Sequence, residues 1–186
     1  YTYFDAIAGV YPAFLKLPFQ VSGIDYVMGK ANWDVVVDVP SDVSLGLGVV
    51  NARNTRMETE EEIGEALRRI APVVPQDRLY INPNCGLEFL PRDTAYQKLV
   101  RMVEGSKKAL EVAECAGLLS TSVGSFPKPP ELQAARNKML RGELGRDELE
   151  QMEREATAFW IHAQEDMGLD ILVDGEMDRG DMVTYF

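Results

Sequence analysis

The sequence predicts an α/β fold built around a parallel sheet. Short, continuously apolar segments alternate with long amphipathic segments along the 186 residues, which is the pattern of βαβ units. The apolar segments have no polar alternation, as expected for strands covered on both faces. Each of them ends in a polar or glycine-rich turn, and ligand-binding groups collect at such strand ends in α/β folds.

The first elements are a helix and two strands. We expect a short helix over residues 3–17, and the apolar segments 23–28 and Ser44–Val50 are predicted to be buried strands. The following helix has a capping box formed by Thr59 and Glu62. Acidic residues in its first turn and arginines near its end match the helix dipole.

The second half of the chain continues the alternation. The predicted elements are, in order, a strand over residues 78–84, a helix capped by Asp93 that ends near Ala116, a strand over 118–126, a helix over 132–139, a long helix over 146–167 and a strand over 169–176. The apolar stripe of the long helix is predicted to be Leu149, Met152, Ala156, Phe159, Ala163 and Met167, with Gly168 ending the helix.

The amino-acid composition argues against several classes of function. The net charge of −11 argues against nucleic-acid binding, and no apolar run approaches the roughly 20 residues that span a bilayer. Two cysteines in unlike surroundings do not indicate a disulfide framework, so we expect a reducing, cytoplasmic location. The first residues resemble no signal peptide and lack an initiator Met, which favours a fragment or a processed product.

Cys85 is the first candidate site residue. It follows a predicted strand and lies between Asn84 and Gly86, where a thiolate would be a nucleophile or a metal ligand; the alternative is a small buried apolar residue. His162, the one histidine, lies in the long helix near its apolar face and is expected to be structural, so a Cys–His pair has little support. Cys115, at a predicted helix end, is also expected to be structural.

Two further strand ends carry polar groups. Ser125 follows Gly124, where the backbone approaches a ligand closely, and it offers a hydroxyl or an N–H to an anion. Asp174 and Glu176 are two residues apart and lie on the same side of an extended strand. Glu176 is a candidate for holding a substrate ammonium. An ordinary turn and a solvated loop are the alternatives for these two segments. If all strands share one sheet, Cys85, Ser125 and Glu176 lie at one rim.

Four segments together resemble the cobalamin-independent methionine synthase family and its shorter relatives. They are LGLGVVNARNTRMETEEEI, LYINPNCGLEFLPRDTAYQKLVRMV, STSVGSFPKPPELQAARNKMLRGEL and GLDILVDGEMDRGDMVTYF. The resemblance implies a (β/α)8 TIM barrel and transfer of a methyl group to the thiol of homocysteine from a methylated folate or, in some relatives, from a corrinoid donor. It also implies a Zn²⁺ cofactor that activates the thiol. By position, Cys85 matches a zinc ligand, Ser125 and Glu176 match residues that hold the amino acid, and Val123 matches a backbone contact.

The chain departs from the family pattern in two ways. The segments of the late barrel strands precede those of the early strands, so residues 1–117 are predicted to be the C-terminal part of a barrel and 118–186 the N-terminal part. Both belong to one permuted or swapped barrel, or else the chain spans the junction of two tandem barrels. The family's His-x-Cys ligand pair would fall at or just before Tyr1, and Gly29 stands at the position of the ligand Glu.

The sequence is compatible with three functions. The first is a zinc methyltransferase whose barrel is completed by a second copy of the chain or by a partner chain, since an open parallel sheet exposes its edges. The second is a non-catalytic barrel or subunit that binds a small amino acid or a partner, which the missing ligands favour. The third is a related barrel, such as a corrinoid-dependent methyltransferase or a decarboxylase of the uroporphyrinogen type.

Overall fold

A four-stranded parallel sheet forms the centre of the computed structural model, which describes residues 1–3, 5–113 and 117–180. The strands are β1 (Val21–Asp25), β2 (Ser44–Val50), β3 (Leu79–Pro83) and β4 (Leu119–Ser120), and they lie side by side in that order. Every neighbouring pair is parallel. The predicted α/β class is confirmed, and the sheet is consistent with part of a (β/α)8 barrel.

Helices connect the strands and cover one face of the sheet. They are α1 (Tyr11–Phe14), α2 (Glu60–Ile70), α3 (Arg92–Ala113), α4 (Pro130–Leu140) and α5 (Arg146–Met167), with 3₁₀ helices at Lys30–Asp38 and Gln76–Arg78. The predicted capping box is confirmed, since Thr59 Oγ1 accepts the Glu62 N–H at 3.2 Å and Glu62 Oε2 accepts the Thr59 N–H at 2.9 Å.

The two faces of the sheet differ in character. One face carries fully buried side chains that pack into the helix layer; they include Ile24, Leu45, Leu47, Leu79 and Ile81. The other face carries glycines, because Gly23 pairs with Gly46 in register and Gly48 pairs with Asn82. A Cβ on Gly23 would lie 2.3 Å from the ring of Tyr1, so this ring lies directly on the glycine face.

The predicted helix over residues 3–17 is wrong except for Tyr11–Phe14. The chain start runs beside the outer edge of β1, where the Thr2 N–H donates to the Gly23 carbonyl at 2.9 Å. The first residues thereby cover the edge of β1. They are not available to the helix, which has a single turn.

Three predicted strands are shorter than expected. The segment 23–28 ends as a strand at Asp25, because Asp25 Oδ1 accepts the N–H groups of the next turn. The segment 118–126 is a strand only at Leu119–Ser120, followed by a turn with Gly124 at φ 61°. The segment 169–176 forms only a bridge between Ile171 and Thr121.

Gln164 explains why residues 169–176 do not form a strand. Its side-chain amide donates to the Val173 carbonyl at 2.8 Å and its Oε1 accepts the Val173 N–H at 3.0 Å. Both backbone groups are thereby taken by a side chain and not by a neighbouring strand.

The long helices begin and end close to their predicted positions. Gly168 ends α5 with φ 74°, as predicted. The helix α3 begins at Arg92, so Asp93 lies in its first turn and the predicted cap is wrong. On α5, Trp160 is buried against Phe126 with ring centroids 4.4 Å apart, whereas Phe159 is 45% exposed, so the predicted stripe is wrong at that position. The predicted helix end near Ala116 lies outside the described residues, as does Cys115.

A buried ion pair connects α3 to the loop after β2. Lys98 is fully buried, and its Nζ lies 2.8 Å from Glu58 Oε2. Lys98 also donates to the Arg56 carbonyl, and Glu58 Oε1 accepts the Asn51 N–H at 3.1 Å. The pair thus fixes both ends of the loop over residues 51–58.

Replacing Lys98 with Met should lower the free energy of unfolding by about 3–5 kcal/mol, because Glu58 would remain buried without its cation. Urea denaturation followed by circular dichroism measures this change. The matched control is Lys108→Met on the same helix, because Lys108 is exposed in its ion pair with Glu60, and we expect the unfolding midpoint of this variant to stay near that of the unaltered protein. Equal effects of the two substitutions would contradict the assigned role of the buried pair.

Candidate functional site

Three loops meet at the carboxyl-terminal edge of the sheet. The Leu87 N–H donates to the Ser125 carbonyl at 2.7 Å, and the Phe126 N–H donates to the Gly175 carbonyl at 3.0 Å. These bonds join the loop after β3 to the loop after β4, and the latter to the loop after α5. The structure therefore brings the segments of Cys85, Ser125 and Glu176 to one rim.

Ser125 and Glu176 are in direct contact. Ser125 Oγ donates to Glu176 Oε2 at 2.5 Å, and Arg179 donates to Glu176 Oε1 at 2.6 Å. Glu176 has φ 56°, which is uncommon for a residue other than glycine. The Asp174 carboxylate supports this conformation by accepting the Glu176 N–H at 3.0 Å. Such conformations concentrate at functional sites, where the surrounding structure holds them.

A second buried ion pair supports the loop that carries Glu176. Arg136 on α4 and Glu153 on α5 are both buried, and their nearest polar atoms are 3.1 Å apart. The same guanidinium donates to the carbonyl of Arg179 at 2.7 Å and to that of Met177. Arg136 thus holds the backbone that directly follows Glu176.

Cys85 lies at the mouth of β3 with 2% of its surface exposed. Burial raises the pKa of its thiol, whereas the nearby Arg53 guanidinium, which also hydrogen-bonds the thiol, favours the thiolate. The carboxylates of Glu88 and Asp25 add to the increase in pKa. Of the two interpretations of Cys85, the burial matches the apolar one and the polar neighbours match the functional one.

Asn84 holds the backbone in front of Cys85. Its Nδ2 donates to Asp25 Oδ2 at 3.1 Å, and its Oδ1 accepts the Ala52 N–H at 2.9 Å. The same oxygen lies 3.6 Å from the Cys85 sulfur. One fully buried side chain therefore joins the loops after β1, β2 and β3.

Two residues near the rim, Tyr3 and Glu88, were not predicted from the sequence. Burial raises the pKa of the Tyr3 hydroxyl, and the nearby charges of Cys85, Glu176 and Glu88 raise it further. Glu88 Oε2 lies 2.4 Å from where a Cβ on Gly86 would be. The position of Glu88 three residues after Cys85 was the only signal for it, and nothing in the sequence pointed to Tyr3.

The remaining candidates have plainer surroundings. Val123 is buried in the turn after β4. His162 is exposed on α5, 3.1 Å from Glu165, and not near the apolar face where it was predicted. Among the residues that the structure describes, no three His, Cys, Asp or Glu side chains are grouped so that they could hold a metal ion. The described residues therefore do not by themselves fit the zinc that the resemblance implies.

No described helix is both long enough and apolar enough to cross a membrane.

Comparisons with known proteins give one consistent result. The model of the family described as "Cobalamin-independent synthase, Catalytic domain" matches residues 4–108 and 118–186. A 5-methyltetrahydropteroyltriglutamate–homocysteine methyltransferase of a Synechococcus species is 28% identical over 254 residues, which cover 100% of this chain and 33% of that protein. Proteins of the same name from Halalkalibacterium halodurans and Nitratidesulfovibrio vulgaris are each 26% identical, with 100% of this chain and 34% of each relative covered. The chain spans about one third of the length of these relatives.

The thiol of Cys85 should ionise at a higher pH than an ordinary cysteine, because burial disfavours the thiolate. We expect Arg53→Gln to raise the pKa of this thiol further, since the guanidinium favours the charged form. The rate of alkylation by iodoacetamide as a function of pH measures both effects in chelator-treated protein carrying Cys115→Ser.

Arg154→Gln is the control for that measurement, because Arg154 is exposed on α5 and pairs with Glu150. A midpoint at or below about 8.5, the ordinary value for cysteine, would contradict the effect of burial.

Proposed function

Since the chain belongs to the cobalamin-independent synthase catalytic-domain family, we propose that it provides part of the active site of a methyltransferase. The substrate would be homocysteine and the methyl donor a methylated folate, as the names of the relatives indicate. In the transfer, the thiol sulfur bonds to the methyl carbon as the carbon–nitrogen bond of the folate breaks. The electron pair stays on the folate nitrogen, which takes up the proton that the thiol gives up.

The contact between Ser125 and Glu176 is the observation that carries this proposal. An amino acid presents an ammonium and a carboxylate, and a rim that holds a carboxylate beside a hydroxyl offers partners to both. The 2.5 Å hydrogen bond and the Arg179 contact hold Glu176 in one orientation before any ligand arrives. Such preorganisation lowers the cost of binding. Val123 would contribute a backbone group next to them.

Cys85 is the single zinc ligand that we propose for this chain. A catalytic zinc site takes about three protein ligands, and the part of the chain that the structure describes has no such group. A zinc ion bound to Cys85 would therefore need further ligands from residues outside the described part of the chain or from another chain.

The four-stranded sheet supports a proposal for the arrangement of the chain. We propose that residues 1–117 and 118–186 correspond to the C-terminal and N-terminal parts of family barrels. A second copy, a partner chain or further segments would complete the ring in the cytoplasm. In the described residues the two parts already share one sheet, because β4 pairs with β3.

A second candidate function is binding of an amino acid without catalysis. The absence of a metal-binding group among the described side chains favours it. Both candidates use Ser125 and Glu176 for the amino acid, and they differ in their dependence on metal, because only the methyltransferase needs a thiol activated by zinc.

Titration calorimetry of the purified chain with L-homocysteine and L-methionine, with and without added zinc, separates these functions. Under the methyltransferase proposal, zinc strengthens the binding of homocysteine and leaves that of methionine nearly unchanged. Glu176→Gln should weaken the binding of both amino acids roughly tenfold or more, because a hydrogen bond to a charged group is lost. Glu148→Gln, on the exposed start of α5, is the matched control and should bind as the unaltered chain does.

Cys85→Ser should abolish the zinc effect and Cys115→Ser should preserve it. Equal affinities for the two amino acids at every zinc concentration would favour binding without catalysis. A protein that neither carries nor gains zinc would exclude catalysis by this chain alone, and absence of binding of either amino acid would contradict both candidates.

A further inference from the structure

The loop between β4 and α4 carries one lysine on a fixed backbone. Lys128 lies between Pro127 and Pro129; each proline fixes its own φ, and Pro129 restricts Lys128 to extended conformations. The Trp160 indole N–H donates to the Pro127 carbonyl at 3.2 Å, and the Leu132 N–H donates to the Pro129 carbonyl at 3.1 Å. The backbone is therefore held on both sides of Lys128.

The Lys128 amine has no partner within the part of the chain that the structure describes. Its side chain is partly buried, no described carboxylate lies within 4.0 Å of the amine, and no described group forms a hydrogen bond with it. Lys98 and Lys108, by contrast, pair with Glu58 at 2.8 Å and with Glu60 at 2.5 Å. The amine of Lys128 is thus available to a ligand.

The charges around Lys128 increase the fraction of neutral amine. Burial and the Arg136 guanidinium lower the pKa of Lys128, and the opposing effect of Glu176, Glu88 and Asp178 is smaller. Arg136 is held in place, because it donates to two backbone carbonyls. A neutral lysine amine is a nucleophile, whereas an ammonium is not.

Lys128 lines a cleft with room for a small ligand. The cleft has a volume of about 430 Å³ and lies between the β3–α3 loop and the start of α4, which is within the range of small-molecule pockets. Its charged lining consists of two cations, Lys128 and Arg92, and two carboxylates, Glu88 and Glu131; leucine and proline side chains form the rest. A ligand that contacts Lys128 therefore comes near Arg92 as well.

Arg92 is a second cation of the cleft without an ion pair. Its guanidinium lies over the Phe159 ring, with 4.9 Å between the guanidinium carbon and the ring centroid. A stacked guanidinium keeps its N–H donors in its own plane, and no carboxylate of the described residues lies within 4.0 Å of them. In a chain with a net charge of −11, two cations without ion pairs in one cleft favour an anionic ligand.

We propose that this cleft binds a small α-oxo acid, whose carbonyl carbon forms an imine with Lys128 and whose carboxylate pairs with Arg92. The Lys128 nitrogen bonds to the carbonyl carbon as the carbon–oxygen bond breaks, and the oxygen leaves as water with the two protons of the neutral amine. The guanidinium offers two parallel donors to the carboxylate. This site is separate from the proposed amino-acid site, because the residues that line the cleft do not include Ser125 or Glu176.

Reductive trapping with glyoxylate tests this site. Sodium cyanoborohydride reduces the imine to a stable carboxymethyl amine, and peptide mass spectrometry gives the rate at each lysine of the purified chain. We expect Lys128 to react about tenfold faster than Lys138, the exposed lysine in the last turn of α4, because more of its amine is neutral and the carboxylate is held. The rate at Lys128 should also level off at a lower pH than the rate at Lys138, since its pKa is lowered.

Three variants separate the contributions. Arg92→Gln should slow the reaction of Lys128 with glyoxylate about fivefold and leave its reaction with propanal, which has no carboxylate, nearly unchanged. The matched control is Arg146→Gln, at an exposed arginine on α5, which should leave both reactions unchanged. Lys128→Arg keeps the positive charge and removes the nucleophile, so the fast modification should disappear while the slow modification of other lysines remains.

Equal rates at Lys128 and Lys138 would overturn the proposal, and so would an equal slowing of glyoxylate and propanal by Arg92→Gln. If Arg92→Gln has an altered circular dichroism spectrum, the unaltered chain decides: Lys128 should favour glyoxylate over propanal more strongly than Lys138 does, and the same preference at both lysines would overturn the role of the carboxylate. These measurements use no amino-acid ligand, so their result is independent of the proposed function.

Discussion

The side-chain amide of Asn84 is the interaction on which the rim depends. It connects the carboxylate of Asp25 to the backbone of Ala52, so the loops after three neighbouring strands share one buried hydrogen-bonded group. Buried polar groups of this kind hold a unique arrangement, because any displacement leaves a donor or an acceptor unsatisfied. Cys85 is the next residue along the chain. Its position at the mouth of the sheet is therefore set by backbone that cannot move without breaking these bonds.

Two buried ion pairs extend this framework to the sides. Lys98 with Glu58 fixes the loop after β2, and Arg136 with Glu153 supports the turn that carries Glu176. In a chain with a net charge of −11, both buried cations also donate to backbone carbonyls of the loops that they support. Each pair therefore links a helix to a loop and not a helix to a helix alone. The helices contribute to the site by this route.

The sequence predicted correctly those features that depend only on neighbouring residues. The capping box at Thr59 and the end of α5 at Gly168 were correct, because neighbouring residues determine both. Strand lengths were wrong where a distant side chain took the backbone groups, as Gln164 does for Val173. The rim positions of Cys85 and Ser125 were predictable from strand ends in a parallel sheet. Glu176 reaches the same rim although the predicted strand before it forms only a bridge. The hydrogen bonds of these three residues were not predictable, since those bonds depend on how loops separated by dozens of residues fold together.

The same distinction explains why Glu88 could not be identified as a site residue from the sequence. A glutamate in a polar loop looks like any solvated residue, and only the folded loop shows its oxygen enclosed above Gly86. The absence of a side chain at Gly86 is what leaves space for the carboxylate, because a Cβ there would overlap it. The two carboxylates on the rim thus have different states before a ligand binds. Glu176 is already satisfied by Ser125 and Arg179, whereas the enclosed Oε2 of Glu88 has no donor among the described residues.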